Sequence, residues 1–413
     1  MAEKGQNFTH ARQKLSLFRR HHSITMGESQ TKGRVDMWKI AIEEAIATIT
    51  RNMNRFGEAY PHVGDGGHYT LIENNDWTNG FWSGLLWLGY EYSGEERLSE
   101  AARKTTACFR RRLEDNVVLD HHDIGFLYSL SAKAQWIVEK DESAKRLALQ
   151  AADRMMKRWR EPGGFFQAWG QKGDPVEGGR IIIDCLLNLP LLYWASEQTG
   201  SPVYREAAKA QAEKSRRYLV RGDDSSYHTF FFNQLTGEPV GGATHQGYSN
   251  GSTWSRGQAW GIYGFALSYR YTRDSLFLET SKRMAVYFLQ HLPEDGVAYW
   301  DFHLPPGQQL YRDSSASAIA AAGLVELLSH LDEQDALYSC LQSGLIRSMK
   351  ALVQHYSTIG DKDAEGLLKH GSYHVRGGQA PDDYMIWGDY FYLEALLRLE
   401  RGISGYWHER ERS

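Results

Sequence analysis

Asp184 stands inside an apolar run, Ile181-Ile182-Ile183-Asp184-Cys185-Leu186-Leu187-Asn188-Leu189-Pro190-Leu191-Leu192. A carboxylate in such surroundings loses hydration that only pairing or protonation replaces. Desolvation favours the neutral acid, which is the form that donates a proton near neutral pH. A second aspartate, Asp123, opens another apolar stretch in His121-His122-Asp123-Ile124-Gly125-Phe126. Two such aspartates point to acid/base chemistry. The structural alternative is a buried Asp that caps a neighbouring helix or pairs with an arginine.

The richest polar segment is Gly241-Gly242-Ala243-Thr244-His245-Gln246-Gly247-Tyr248-Ser249-Asn250-Gly251-Ser252-Thr253-Trp254-Ser255-Arg256-Gly257-Gln258-Ala259-Trp260. Its glycines allow backbone N–H groups to approach a ligand, Arg256 can hold a carboxylate through two N–H groups, and Trp254 and Trp260 can stack on a sugar ring. The bland reading is a connector in which Thr253 caps a helix and the tryptophans are core. Gly247-Tyr248-Ser249-Asn250-Gly251 has the letters of a serine nucleophile elbow, but no apolar strand leads into it, so a serine hydrolase is rejected. His121-His122-Asp123 are adjacent and diverge on a helix, so no metal site is expected. His228 reads as a core or loop histidine. Gly371-Ser372-Tyr373-His374-Val375-Arg376-Gly377-Gly378 reads as a flap. No dinucleotide fingerprint or P-loop is present, and no cofactor is expected.

Composition narrows the class. A net charge of −4 gives no general attraction to nucleic acid or an anionic membrane, so neither is expected as a partner. Aromatics at 13%, with 13 Trp and 23 Tyr, suit a cleft with flat faces for sugar rings, although large cores also use them. Cys108, Cys185 and Cys340 are odd in number and far apart, which fits a reducing compartment. Residues 1–34 carry seven Lys/Arg against two Glu, and no secretory h-region follows Phe18. They read as a basic, loosely ordered extension ahead of one catalytic domain over 35–413.

The elements that must position the aspartates are helices. An apolar, aromatic-rich helix repeatedly ends in a short turn before an amphipathic helix, at Gly94, Asp141, Gly200, Asp274, Asp332 and Gly402. Six joins predict six hairpins: apolar helices near 77–93, 124–140, 181–198, 254–273, 313–331 and 383–401, and amphipathic ones near 36–55, 95–113, 142–160, 202–219, 275–292 and 333–356. An inner ring of six inside an outer ring of six is an all-α (α/α)6 barrel. A helical solenoid is the competitor, and its regular spacing is missing. Closure would gather Asp76-Trp77, Asp123, Asp184, Trp254-Arg256, Arg312-Asp313 and Asp382-Asp383 around one mouth, where helix N-termini favour an anionic ligand. Asp76, Asp313 and Asp382 can equally be plain N-caps.

The segments HHDIGFLYSLSAKAQW, GGRIIIDCLLNLPLL, RGDDSSYHTF, GSTWSRGQAWGIYGFAL, YRDSSASAIA, GSYHVRGG and DDYMIWGDY closely resemble unsaturated glucuronyl hydrolases, glycoside hydrolase family 88, from about Met37 to Trp407. The resemblance implies an (α/α)6 barrel, a cytoplasmic enzyme and no metal. It also implies a small anionic oligosaccharide substrate left by a polysaccharide lyase, with a 4,5-unsaturated uronic acid at its non-reducing end. Its reaction protonates C4 of the vinyl ether and adds water at C5, unlike attack at the anomeric carbon. By this match Asp184 is the general acid/base and Asp123 the second essential carboxylate. Gly242, Thr244, Arg256 and Trp260 then bind substrate, while Trp77, Trp169, His228, Gln246 and Tyr373 line the pocket. The alternatives are an unsaturated rhamnogalacturonyl hydrolase, an ordinary inverting glycosidase, and a sugar-binding barrel without catalysis.

Overall fold

The computed structural model describes residues 28–409. The inner helices are Asn79–Ser93, Ile124–Tyr128 continued through a π-turn (Ser129–Lys133) into Ala134–Glu139, Cys185–Thr199, Ser255–Thr272, Ser314–Leu328 and Ile386–Arg401. The outer helices are Glu28–Phe56, Glu96–Glu114, Glu142–Met156, Pro202–Tyr218, Ser275–Gln290 and Tyr338–Ala351. Each inner helix packs on the next, and the last returns to the first, which closes the (α/α)6 barrel. Residue pattern accounts for the layers. Every residue from Ser255 to Ser268 is buried. Glu96–Glu114 instead buries Leu98, Ser99, Ala102, Thr106, Phe109 and Arg112, the one-sided spacing of an outer helix.

The joins are tight because five of the six inner helices stop on a left-handed residue: Gly94, Lys140, Gly200, Arg273 and Gly402. Lys140 (φ 58°) and Arg273 (φ 57°) adopt it without glycine's freedom. Each is followed by an aspartate that caps the next outer helix. Asp141 accepts from the Ala144 N–H at 2.7 Å, and Asp274 from the Leu276 N–H at 3.1 Å.

Glycine marks every contact around the inner ring. A methyl group on Gly80 would meet Phe126 O at 2.2 Å, on Gly125 Asn188 Cα at 2.4 Å, and on Gly264 Leu186 Cβ at 2.3 Å. On Gly323 it would meet Tyr263 Cβ at 2.9 Å, on Gly388 Ser315 Cβ at 2.8 Å, and on Gly84 the Tyr390 ring at 2.6 Å. At five of these six contacts main-chain or Cβ atoms of the facing helix set the approach.

The end of the barrel formed by the C-termini of the inner helices is filled. Trp407, fully buried, donates Nε1–H to Glu394 (2.9 Å), and its carbonyl accepts from Lys133 Nζ and the Tyr271 hydroxyl, both at 2.8 Å. Glu326, also buried, pairs with Arg270 (2.5 Å) and Arg398.

One expected helix start is a strand. Ile181 and Ile182 belong to Arg180–Ile182, which pairs antiparallel with Thr229–Phe232, and that strand pairs with Pro239–Ala243. Three consecutive β-branched residues favour this geometry, and the helix begins only after Asp184. The first outer helix starts at Glu28, inside the expected basic extension; residues 1–27 of that extension lie outside the described residues. Among the described residues no helix is long and apolar enough to cross a membrane.

Gly125→Ala should separate two inner helices and lower stability by roughly 1–3 kcal/mol, the usual range for overpacking. Urea denaturation measures this, and an unchanged midpoint would show that the contact yields freely.

Candidate active site

Asp123 and Asp184 occupy the N-cap positions of two neighbouring inner helices, yet neither side chain caps its helix. Asp313, by contrast, accepts from the Ala316 N–H at 3.2 Å. Arg256 pairs with Asp313 at 2.5 Å, not with Asp184. Neither structural alternative, cap or arginine partner, therefore accounts for Asp184. Between the two carboxylates lies His122, fully buried, with Nε2 3.4 Å from Asp123 Oδ1 and 3.3 Å from Asp184 Oδ1. Asp184 Oδ1 is buried without an aligned hydrogen bond, although the side chain as a whole keeps 18% of its surface. An orphaned buried carboxylate oxygen asks for a proton or a ligand.

The environments separate the two acids. Burial and then the charge of Asp123 hold the Asp184 carboxyl well above the usual range, with Arg256 pulling the other way. Burial also pushes Asp123 up, but His122, His121 and Asn188 outweigh it and leave it below the usual range. His122 is lowered to about 4 by burial, against the pull of Asp123, so its imidazole is neutral near pH 7. Adjacent carboxylates with divergent affinities form an acid/base pair.

Most of the expected wall residues converge here. His228 is buried, and its Nδ1 accepts the backbone N–H groups of His245 (3.0 Å) and Gln246 (3.1 Å). That fixes the proton on Nε2, and burial with nearby cationic groups keeps the ring neutral. Gln246 Nε2 donates to Tyr373 O at 3.3 Å, joining the glycine-rich loop to the 371–378 flap. His374 Nε2 lies 3.2 Å from His245 O, a second link between them. Trp77 lies 5.1 Å from Trp387, and Tyr373 5.4 Å from Trp387, ring centre to ring centre. Trp169 packs at 5.0 Å against both His245 and the Arg180 guanidinium. Thr244 Oγ1 accepts from the Gly247 N–H at 2.8 Å, and a methyl group on Gly242 would meet the Tyr227 ring at 2.5 Å.

Two expected residues sit deeper than a binding wall. Arg256 is 1% exposed and donates to Asp313, Ser372 O and Tyr373 O (2.7 Å), so its guanidinium is committed to protein partners. Trp260, one turn further along its helix, is 1% exposed and packs 5.4 Å from both Phe126 and Phe391. Asp382 pairs with His370 at the exposed rim, away from the carboxylates. Ser249 lies in the loop and exchanges hydrogen bonds with Ser252 at 2.9 Å, and the preceding strand, Pro239–Ala243, stops short of it.

Among the described residues, His122, Asp123 and Asp184 are the set dense enough to hold a metal ion, with one donor atom from each inside 4.8 Å. Their partners favour a proton instead. Asp123 already takes Asn188 Nδ2 at 3.3 Å, and a raised Asp184 carboxyl keeps its proton where a metal ligand must lose it.

The family model for Glycosyl Hydrolase Family 88 matches residues 49–400. The chain belongs to glycoside hydrolase family 88. It is similar to the unsaturated glucuronyl hydrolase of Bacillus sp. (strain GL1), at 62% identity over 377 residues, 91% of this chain and 100% of that protein. A crystal structure of the Bacillus sp. GL1 enzyme, described as responsible for the degradation of glycosaminoglycan, superposes with a TM-score of 0.89 at 61% identity, covering 91% of this chain and 100% of that one. A variant of the Streptococcus agalactiae unsaturated glucuronyl hydrolase complexed with dGlcA-GalNAc6S superposes with a TM-score of 0.79 at 40% identity, covering 90% of this chain and 93% of that one. The family-88 chain is a glycosidase.

If the cation at this cluster is a proton, prolonged chelation should leave turnover unchanged. Loss of activity restored by one divalent ion would reassign the three side chains to a metal.

Proposed function

We propose that this site releases the 4,5-unsaturated uronic acid from the non-reducing end of lyase-generated oligosaccharides by hydrating its C4=C5 double bond. Asp184 delivers its proton to C4 of the vinyl ether, and positive charge develops at C5 and the ring oxygen. Asp184, now ionised, takes a proton from the water that adds at C5. The C5 hemiketal opens by breaking its bond to the ring oxygen, and the hemiacetal left at C1 then expels the neighbouring sugar. Asp123 stays ionised, accepts from ring hydroxyls and stabilises the neighbouring acid. His228 offers a fixed Nε2–H donor. Trp77, Trp169 and Tyr373 supply ring faces, Gln246 supplies an amide, and Gly242 and Thr244 supply main chain. Arg256 contributes positive charge from behind the wall.

The observation that carries this reading is the separation of the carboxylates. An inverting glycosidase holds its two carboxyl groups about 6.5–9.5 Å apart to admit a water beneath the sugar. Here the nearest oxygens lie within 4.8 Å and share one imidazole. A pair this close suits one acid with one charged neighbour beside it and leaves no room for a water between them. Alkene protonation needs only such an acid. The relatives named for unsaturated glucuronate support the same substrate class.

An unsaturated disaccharide and its saturated glucuronide counterpart should be cleanly distinguished. The unsaturated compound should lose its ultraviolet absorption, and in deuterated water it should gain one deuterium at C4 by rapid quench. Comparable cleavage of the saturated glucuronide would make the double bond incidental and overturn the reading. Asp184→Asn should fold and bind substrate but lose a factor of roughly 10²–10⁴ or more in kcat, as expected for a general acid. Near-normal turnover by the folded variant would remove Asp184 from the chemistry.

A further inference from the structure

Asn188 lies one turn beyond Asp184 on the same helix and is completely buried. Its Oδ1 accepts the Phe126 N–H at 2.7 Å, while Nδ2 donates to Asp123 Oδ1 and to the Asp184 carbonyl, both at 3.3 Å. The orientation of the amide is not arbitrary. Phe126 N is a donor, so the atom facing it must be oxygen, and the nitrogen must then face the Asp123 carboxylate. Reversal would set N–H against N–H and oxygen against a carboxylate. The approach is possible because residue 125 is glycine; a methyl group there would sit 2.4 Å from Asn188 Cα. A single neutral side chain therefore spans the two segments that carry the carboxylates.

We propose that Asn188 is a positioning residue for this reaction, whose amide locks Asp123 to the helix bearing Asp184 and so decides which of the two carboxylates keeps the proton. The inference rests on the hydration reading above. Asp123 is also faced by His121 and His122 from its own segment, Asp184 from the Cys185–Thr199 helix, and Tyr373 from the flap. Arg256 acts from the Ser255–Thr272 helix, on Asp184. His122 stands between the acids and favours neither by distance. Tyr373 and Arg256 belong to other elements. Asn188 alone among these donates to Asp123 while also bonding to the main chain of Asp184. Without its N–H, the charge on Asp123 loses a dedicated donor, and the difference between the acids narrows. Catalysis needs Asp123 ionised and Asp184 protonated together, so the active pH window narrows with it.

Asn188→Asp tests this because it keeps an oxygen for the Phe126 N–H and replaces the donor with a second carboxylate beside Asp123. The sign follows directly: a lost donor and an added negative neighbour favour protonated Asp123, so a higher pH is needed to ionise it. The expected result is an acid limb of kcat/KM displaced upward by about one pH unit, with kcat reduced about 10- to 100-fold and KM nearly unchanged. A role in packing alone would scale activity equally at every pH, and an unmoved acid limb in folded Asn188→Asp would overturn the proposal. A measurement on the unmodified enzyme covers the case of a variant that does not fold. In protein labelled with 15N at asparagine, the Asn188 side-chain amide, identified by its loss in Asn188→Ser, should titrate with the midpoint of the acid limb. A signal flat through that limb would also overturn the proposal. These results separate from the hydration reading, which falls only if the unmodified enzyme cleaves the saturated glucuronide comparably.

Discussion

Two carboxylates that approach within 4.8 Å in a dry setting cannot both be charged, and the rest of the mouth is arranged around that constraint. Asp123 is given side-chain donors, whereas Asp184 is given only main-chain N–H groups at the start of its helix. His121, His122 and Asn188 surround the first, while the second has a buried oxygen with no aligned partner. The charge retained by Asp123 then holds the proton on its neighbour. One residue's ionisation thus becomes the cause of the other's acidity. Arg256 moderates the effect from a distance, because its own hydrogen bonds go to Asp313 and to the flap.

The barrel converts this local problem into a global one. Asp123 and Asp184 belong to different hairpins, and their separation is fixed by how closely two inner helices pack. That closeness depends on Gly125 lying against Asn188. The far end is blocked by Trp407, held by Glu394, Lys133 and Tyr271. The barrel is consequently a cup, closed at one end and open at the end that carries the aspartates. Buried groups at the closed end satisfy one another, as Glu326 does with Arg270 and Arg398, whereas Asp184 at the open end leaves one oxygen waiting.

Much of this was legible in the sequence. Asp184 stood out because a charge in an apolar run has few harmless explanations, and the six helix joins were visible because Gly or Asp stands at each, Gly as the left-handed stop at three and Asp141 and Asp274 as caps of the next helix. Asn188 carried the same signal, a polar residue within Leu186-Leu187-Asn188-Leu189, but an uncharged amide in a helix attracts less suspicion than a carboxylate. In sequence His122 suggests only a metal ligand, since its place between two acids is made by packing rather than spacing. From sequence Arg256 looks free to grasp a carboxylate because its partners, Asp313 and the carbonyls of Ser372 and Tyr373, lie 57, 116 and 117 residues away. The strand at Ile181 is not legible in sequence because a short apolar run has no period of its own until its neighbours at Thr229–Phe232 are known.

The glycines between the inner helices bear on how such an enzyme can diversify. At most of these six seams main-chain or Cβ atoms of the facing helix limit the approach, so the bore of the cup is set largely by the backbone and very little by side-chain size. Replacing a residue on the glycine-rich loop or on the flap changes what the rim recognises and leaves the bore as it was. Changing the bore would require several seams to relax together, and each relaxation would also move a helix that carries part of the rim. The architecture thus separates two kinds of variation: recognition can drift one loop at a time, while the spacing of the acids is inherited as a unit.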